Sequence, residues 1–201
     1  MDTILYTTIA VLPSIIWLLF YLRKDKHPEP NRMVIKTFVW GLLSVFVALI
    51  LQLLYSEILN DLSLGNKILL AFLGAAFIEE YVKYFVVKKG VLKSPEFDEP
   101  IDAVLYLIIA ALGFAAAENI LLLNRLYVIG VPLGQMTGVA LGRLLSAVFL
   151  HTLSSAIVGY FLARSLLLKH DRKGFVGLGI LVSTCLHGFY NYIIIGIGLG
   201  H

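Results

Sequence analysis

The sequence predicts an all-α membrane protein, a polytopic helix bundle of about six transmembrane helices with both termini outside. The first observation is composition: 59% of the 201 residues are hydrophobic and only 14% are charged, and the mean hydropathy is +0.89. Soluble domains average about 45–50% apolar and about 25% charged residues. The second observation is that six spans of about 20 residues fill the chain. We therefore expect a single transmembrane domain over 1–201.

Six apolar runs are separated by short polar loops. They extend over about 3–22, 33–59, 67–87, 101–123, 136–168 and 175–199. The first run has no basic residue before it and is followed by Arg23 and Lys24, so we interpret it as a retained span rather than a signal peptide. The run 136–168 is longer than a span requires, so we expect it to tilt or to protrude.

Lysine and arginine are concentrated in three alternate loops, 23–32, 88–100 and 169–174. Because basic loops stay in the cytoplasm, these three are predicted to be cytoplasmic in a multi-pass protein of the cell membrane. The net charge of +3 resides in these loops, so it does not indicate a nucleic-acid partner. Cys185 is the single cysteine, which excludes an intrachain disulfide and a cysteine-based zinc cluster.

The third run contains three ionisable residues within an otherwise apolar segment, Glu79, Glu80 and Lys83. A charge at the centre of a membrane helix costs roughly 2.5–3.5 kcal/mol even on the cheaper scales. Lys83 is within one helical turn of both glutamates and can pair with either. The alternative is a structural ion-pair cluster that extends to the cytoplasmic surface. Functional use is the better explanation, because snorkelling accounts for a lysine more readily than for two carboxylates.

The fourth run contains Glu118 and Asn119 directly after a series of small residues, 113–117. Small residues let another helix backbone approach closely. Glu118 has no neutralising partner on its own helix, so we expect its partner on another span or in a bound cation. The alternative is a protonated glutamate that makes one interhelical hydrogen bond.

The fifth and sixth runs contain one internal histidine each. His151 is followed at spacings of four by Ser155 and Gly159, and His187 is followed by Asn191 on the same helix face. Either histidine alone could be a neutral, hydrogen-bonded residue. Together, however, four spans each provide a glutamate or a histidine at membrane depth. Carboxylates and imidazoles are the ligands of zinc sites and the groups of acid–base catalysis, so one shared site explains all four.

The order of these motifs resembles the PrsW family of intramembrane proteases, which is related to the CAAX prenyl endopeptidases and the bacteriocin-processing (Abi) membrane proteins. The matching motifs are the run 79–83, the run 114–119, His151 with Ser155, and His187 with Asn191. The CAAX relatives usually have arginine at the position of Lys83 and histidine at that of Glu118, so the PrsW branch is favoured. The resemblance covers about residues 71–192.

The resemblance implies cleavage of a peptide bond in a single-span or lipid-anchored membrane protein, such as an anti-sigma-factor-like regulator. Two mechanisms are compatible with the residues. In one, His151 and His187 with Glu118 or Glu80 hold Zn²⁺, which lowers the pKa of its water to about 7. In the other, which needs no metal, Glu80 is the base and His187 with Asn191 stabilises the oxyanion. We favour the metal mechanism slightly, because two histidines and several carboxylates are more potential ligands than a metal-free base requires.

The predicted site has defined roles for its residues. Glu79, Glu80, Glu118, His187 and Asn191 are the predicted catalytic residues, with Glu80 as the base and Glu79 orienting it or sharing its proton. Lys83, Asn119 and Ser155 are predicted to support them.

Two other classes of function remain open from the sequence. One is a proton- or cation-coupled carrier that uses the glutamates as an ion relay, and the other is a non-catalytic membrane scaffold. A protease site also needs Glu80 and Glu118 at one depth. We therefore expect the fourth span to start below the membrane surface or to break near Gly113.

Overall fold

The computed structural model describes residues 3–61, 67–168 and 171–198. Every regular element in these ranges is an α-helix, which confirms the predicted all-α class. The seven helices are α1 (Thr3–Leu22), α2 (Asn31–Asp61), α3 (Lys67–Gly90), α4 (Asp102–Val128), α5 (Leu133–Leu145), α6 (Ala147–Leu167) and α7 (Arg172–Gly198).

Five stretches of the described residues are long and apolar enough to cross a membrane. They are Ile4–Leu22, Asn31–Asn60, Asp102–Val128, Leu133–Leu167 and Arg172–Ile194. α3 is also long enough to span, with 24 residues, but its internal charges exclude it from this set. It packs between α2, α4 and α7, so those charges lie against protein rather than lipid.

α4 is the central helix of the bundle and contacts α1, α2, α3, α5 and α6. Its approach to α2 is made possible by Gly41 and Gly113. A Cβ on Gly41 would lie 2.1 Å from the backbone oxygen of Ala110, and one on Gly113 would lie 2.0 Å from that of Phe38. Since backbone atoms cannot move aside cheaply, only glycine permits this spacing.

Of the two alternatives expected for the fourth span, the break near Gly113 does not occur, because α4 continues without interruption from Asp102 to Val128. Gly113 serves instead as a contact point with α2. A glycine in a helix lowers its stability by only about 1 kcal/mol relative to alanine, which close packing against a neighbour can offset.

The predicted span over 136–168 lies within one apolar stretch, Leu133–Leu167, but that stretch consists of two helices, because α5 ends at Leu145 and α6 begins at Ala147. Ser146 between them has φ −117° and ψ −89°, and its hydroxyl donates to the carbonyl of Gly142 at 2.8 Å. A serine bonded to the preceding turn competes with the helical pattern and often bends a helix. The break separates Arg143 at the end of α5 from His151 in α6.

Candidate active site

A polar cluster lies inside the bundle where α3, α4, α6 and α7 meet. Its members are Glu79, Glu80, Lys83, Glu118, His151 and His187. All are buried except Glu118, whose side chain is 28% exposed. The four helices each provide at least one of these groups, so the cluster depends on the tertiary fold.

Glu80 is the most completely bonded carboxylate of the cluster. Its Oε1 accepts hydrogen bonds from Lys83 Nζ at 2.6 Å, Ser154 Oγ at 2.9 Å and His187 Nδ1 at 2.8 Å. Ser155 Oγ lies 3.5 Å from Oε2, at the limit of a hydrogen bond. Because His187 bonds Glu80 through Nδ1, its Nε2 is directed elsewhere. A carboxylate in this position fixes the ring orientation and tautomer of a histidine.

Lys83 lies fully inside the protein, so it does not extend to the surface, and the snorkelling alternative was wrong. Its side chain has no exposure. Its ammonium donates to Glu80 and to His151 Nδ1 at 3.0 Å and lies 5.1 Å from the ring centroid of Phe114. A buried ammonium is tolerated only when such partners replace its hydration.

His151 has both ring nitrogens engaged. An ammonium can only donate, so the Lys83 contact makes Nδ1 an acceptor and leaves the proton on Nε2. That nitrogen lies 2.7 Å from Glu118 Oε2 and donates to it. The imidazole thus connects Glu118 of α4 with the pair formed by Glu80 and Lys83. The ring of His187 lies edge-on to it, with centroids 5.0 Å apart.

Glu79 is bonded on one oxygen only. Gln52 of α2 donates its side-chain amide to Oε1 at 2.9 Å. Oε2 is buried and has no hydrogen bond within the described residues, and His187 Nε2 lies 3.6 Å from it. An unpaired oxygen of a buried carboxylate is costly. Such groups are therefore retained where a ligand or substrate completes them.

Arg143, in the last turn of α5, contacts Glu118 of α4. Its guanidinium lies 3.4 Å from Glu118 Oε2 and donates to the side-chain oxygen of Asn119. Asn119 in turn donates to the backbone oxygen of Ala10 in α1 at 3.0 Å. Asn119 therefore ties the arginine to the bundle.

A cavity of about 250 Å³ adjoins the cluster between α2, α4 and the end of α5. Its polar lining consists of Gln52, Glu79, Glu118 and Arg143. The remainder is apolar and includes Leu49 and Leu121, both exposed on the outer surface of the bundle. The cavity thus leads from the lipid-facing surface to Glu79 and Glu118, whereas Glu80 does not line it.

Gln52 and Ser154 bond the two glutamates, and neither was among the predicted site residues. Arg143 was not among them either. A glutamine or a serine in an apolar run is common, so only their spacing to a known site could have singled them out. Asn191 is half-buried one turn beyond His187. The structure gives it no hydrogen bond among the described residues, so it stays a prediction as an oxyanion donor.

Three of these side chains can offer ligand atoms to one metal ion. Atoms of Glu79, His151 and His187 all lie within 4.8 Å of one another. The donor set of two histidines and one glutamate suits Zn²⁺, and the unpaired Glu79 Oε2 supports the fit. This set contains Glu79 in place of the predicted Glu80 and Glu118. His151 can join only if one of its two present partners moves.

Comparison with known proteins places these residues in a family. The family described as PrsW family intramembrane metalloprotease matches residues 29–200. The chain is 32% identical to a protein named Protease PrsW from Geobacillus kaustophilus (strain HTA426), over 88% of this chain and 73% of that protein. It is 30% identical to the Protease PrsW of Bacillus subtilis (strain 168), over 92% and 80%. No solved structure matches the chain significantly.

Proposed function

Because the chain belongs to the PrsW family of intramembrane metalloproteases, we propose that Glu79, His151 and His187 form the active centre of this intramembrane protease. The observation that carries the proposal is the unpaired Oε2 of Glu79, which is buried beside His187 Nε2. Family membership makes the carrier and scaffold alternatives unnecessary.

In this proposal Glu79 replaces Glu80 as the carboxylate that acts on the substrate. Glu80 already accepts bonds from Lys83, Ser154 and His187 and does not line the cavity. Its role is to position His187 and to neutralise Lys83. Glu79 has one free oxygen and lines the cavity, so it can meet a water molecule and a peptide bond.

The mechanism begins with water in the cavity beside Glu79. Gln52 holds Oε1 and so leaves Oε2 to accept the proton of that water. The hydroxide adds to the carbonyl carbon, and the developing oxyanion lies within a cavity that Arg143 lines. A fixed cation in a water-poor site lowers the barrier to this charge build-up. Glu79 then returns the proton to the leaving amine.

A Zn²⁺ ion is the second part of the proposal, and Glu79, His151 and His187 would hold it. Bound there, it would supply Lewis-acid activation of water and of the carbonyl. Glu118 would then be the proton acceptor, because its Oε1 has no partner within the described residues and it lines the same cavity. Glu79 is thus required in both versions of the mechanism.

The proposed substrate is a single-span or lipid-anchored membrane protein, such as an anti-sigma-factor-like regulator. Two features support a membrane substrate. The family acts within the membrane, and the rim of the cavity includes exposed apolar residues. A substrate helix can therefore approach from lipid without crossing a polar surface.

Reconstitution tests this function. The purified protein in liposomes should cleave at least one member of a panel of single-span proteins, and His187→Gln should abolish that cleavage. The same fragments from wild type and His187→Gln would contradict the proposal. Metal analysis separates the two mechanisms, since bound Zn²⁺ lost in Glu79→Gln supports the metal version. Full activity without bound metal in chelator assigns the proton transfer to Glu79 alone.

A further inference from the structure

A basic cleft lies at the end of the bundle where α3 ends and α7 begins, apart from the active centre. Its volume is about 570 Å³. Five cationic side chains line it: Lys88, Lys89, Lys93, Arg172 and Lys173. No acidic side chain of the described residues lines it, and none of the five forms an ion pair with one of them. Like charges gathered in a concave site attract an anion.

The floor of the cleft is apolar although its rim is cationic. Tyr84, Val176 and Ile180 form part of this floor and are buried. Lys88 Nζ lies 5.7 Å from the ring centroid of Tyr84, and Lys89 Nζ lies 5.5 Å from that of Phe85. These cation–π contacts hold two ammonium groups at the rim, above the apolar surface.

An apolar groove of about 440 Å³ between α2 and α3 adjoins the basic cleft. The two share Tyr81 and Lys89 in their linings. Trp40, Val47 and Phe85 line the groove and are exposed on the outer surface of the bundle. A ligand with a phosphate in the cleft would therefore have an apolar path directly beside it, along the lipid-facing side of α3.

We propose that the basic cleft binds the phosphate headgroup of an anionic phospholipid, whose acyl chain lies in the adjoining apolar groove. Charge complementarity accounts for the headgroup, since basic pockets between membrane helices bind anionic lipid headgroups. The groove accounts for the choice of a lipid over a free phosphate or an acidic peptide, because neither of those uses an apolar channel. The proposal concerns binding alone and is independent of the protease activity.

Lipid retention in native mass spectrometry tests the proposal. The full-length protein is taken from bilayers that contain equal amounts of phosphatidylglycerol and phosphatidylcholine. Wild type should retain phosphatidylglycerol at least about tenfold more than phosphatidylcholine, since each basic group near an anionic surface contributes separately. The triple variant Lys88→Gln, Lys93→Gln and Arg172→Gln should lose this preference.

A matched control removes three charges elsewhere. The control is the triple variant Arg23→Gln, Lys24→Gln and Lys26→Gln, whose positions are exposed in another basic loop. It should keep the preference for phosphatidylglycerol. Equal losses in both triple variants would overturn the proposal, because general surface charge would then explain retention. Equal retention of both lipids by wild type would overturn it as well.

A charge-conserving variant and a competition experiment complete the test. If the cleft triple variant fails to fold, the charge-conserving variant Lys88→Arg and Lys93→Arg replaces it and should keep the preference; its loss would contradict a phosphate site. Inorganic phosphate or an acidic peptide is added as competitor to wild type. Displacement of phosphatidylglycerol by either one at matched concentration would assign the cleft to that ligand and overturn the lipid proposal.

Discussion

The pairing of Glu80 with Lys83 determines what the rest of the site can do. Each charge alone would cost several kcal/mol in a water-poor interior. Together, and with Ser154 and His187, they form a unit in which Glu80 Oε1 accepts three hydrogen bonds. Its neighbour Glu79 points about 100° away around the helix, towards Gln52 and the cavity. Adjacent glutamates thus acquire different partners.

Removal of the Glu80 charge should mainly affect stability. Glu80→Gln leaves the buried ammonium of Lys83 without its carboxylate and should lower the free energy of unfolding by about 3–5 kcal/mol. Thermal unfolding in detergent measures this loss. Glu80→Gln combined with Lys83→Met should recover much of it, because replacing a whole buried pair is often neutral. An unchanged melting temperature in Glu80→Gln would contradict the positioning role.

At the residue scale the sequence indicated which residue types form the site. It did not indicate which of the residues acts on the substrate and which of them positions the others. Two adjacent glutamates could not be told apart, because the pattern does not say which helix face looks inward. The choice of Glu80 rather than Glu79 as the base was therefore the least secure part of the predicted site. Gln52 lies on a different helix from the motifs, and only the packing of α2 against α3 brings it to Glu79.

At the scale of helices, the position of the site depends on how closely α2 approaches α4. Glu118 lies on α4 and Gln52 on α2, so a wider spacing would open the cavity between them. The approach depends on Gly113, which the sequence marked as a small residue near Glu118 without showing its neighbour. The structure supplies that neighbour, the backbone of Phe38.

A methyl group at Gly113 should destabilise the bundle. Gly113→Ala places its Cβ at 2.0 Å from the Phe38 backbone oxygen and should cost at least about 1–3 kcal/mol, as over-packing does in general. Gly177→Ala is the matched control, because nothing lies within 4 Å of a Cβ there. Melting temperatures of the two variants measure the difference. Equal values would show that α2 and α4 do not pack as described.

The loop between α1 and α2 contains a titratable contact with α4. Tyr106 of α4 donates to Glu29 Oε2 at 2.5 Å. Burial raises the pKa of Glu29 from 4.5 to about 7, and the charges of Asp102 and Asp25 act in the same direction, whereas the Tyr106 hydrogen bond opposes them. The folded state therefore binds this proton more tightly than the unfolded state.

Stability should consequently fall as the pH rises from about 4.5 to about 7 and then stay level with respect to this group. Melting temperature against pH measures the effect. Glu29→Gln should flatten the curve in that window, whereas the exposed control Glu96→Gln should leave its shape unchanged. A Glu29→Gln curve as steep as that of wild type would contradict the assignment.

At the scale of the whole molecule, the described residues of the three basic loops lie at one end of the bundle. His27 Nδ1 lies 2.6 Å from Glu99 Oε1, which joins the first loop to the third. Lys93 and Arg172 line one cleft, which joins the third to the fifth. Alternate loops of a helix bundle with short connections must share a side. The pattern of lysines and arginines therefore agrees with the packing, because both follow from the same alternation of spans.

Thiol labelling tests which side of the membrane the end with the basic loops faces. In a Cys185→Ser background, Gln135→Cys should react with a membrane-impermeant reagent on intact cells, because loop 129–132 and its neighbour Gln135 are proposed to face outside. Lys24→Cys and Lys93→Cys should react only after permeabilisation. Both groups are exposed positions in the structure. The reverse labelling pattern would show that both termini lie in the cytoplasm.

The succession of long helices followed from the apolar runs, since run length reflects bilayer thickness. The division between α5 and α6 did not, because the apolar stretch continues across Ser146 and the non-helical backbone of this residue has no signal in hydropathy. Arg143, three residues before the break, lies 3.4 Å from Glu118 Oε2. The sequence does not predict this contact, because it depends on how α5 packs against α4.

The central claim is that Glu79 acts on the substrate, and the rate of single-turnover cleavage in liposomes tests it most directly. Glu79→Gln should lower the rate by about 10²–10⁴-fold, the usual contribution of acid–base catalysis, while its melting temperature stays close to that of wild type. Glu57→Gln, an exposed glutamate on α2, should cleave at the wild-type rate. A correctly folded Glu79→Gln variant that cleaves as fast as Glu57→Gln would contradict the account.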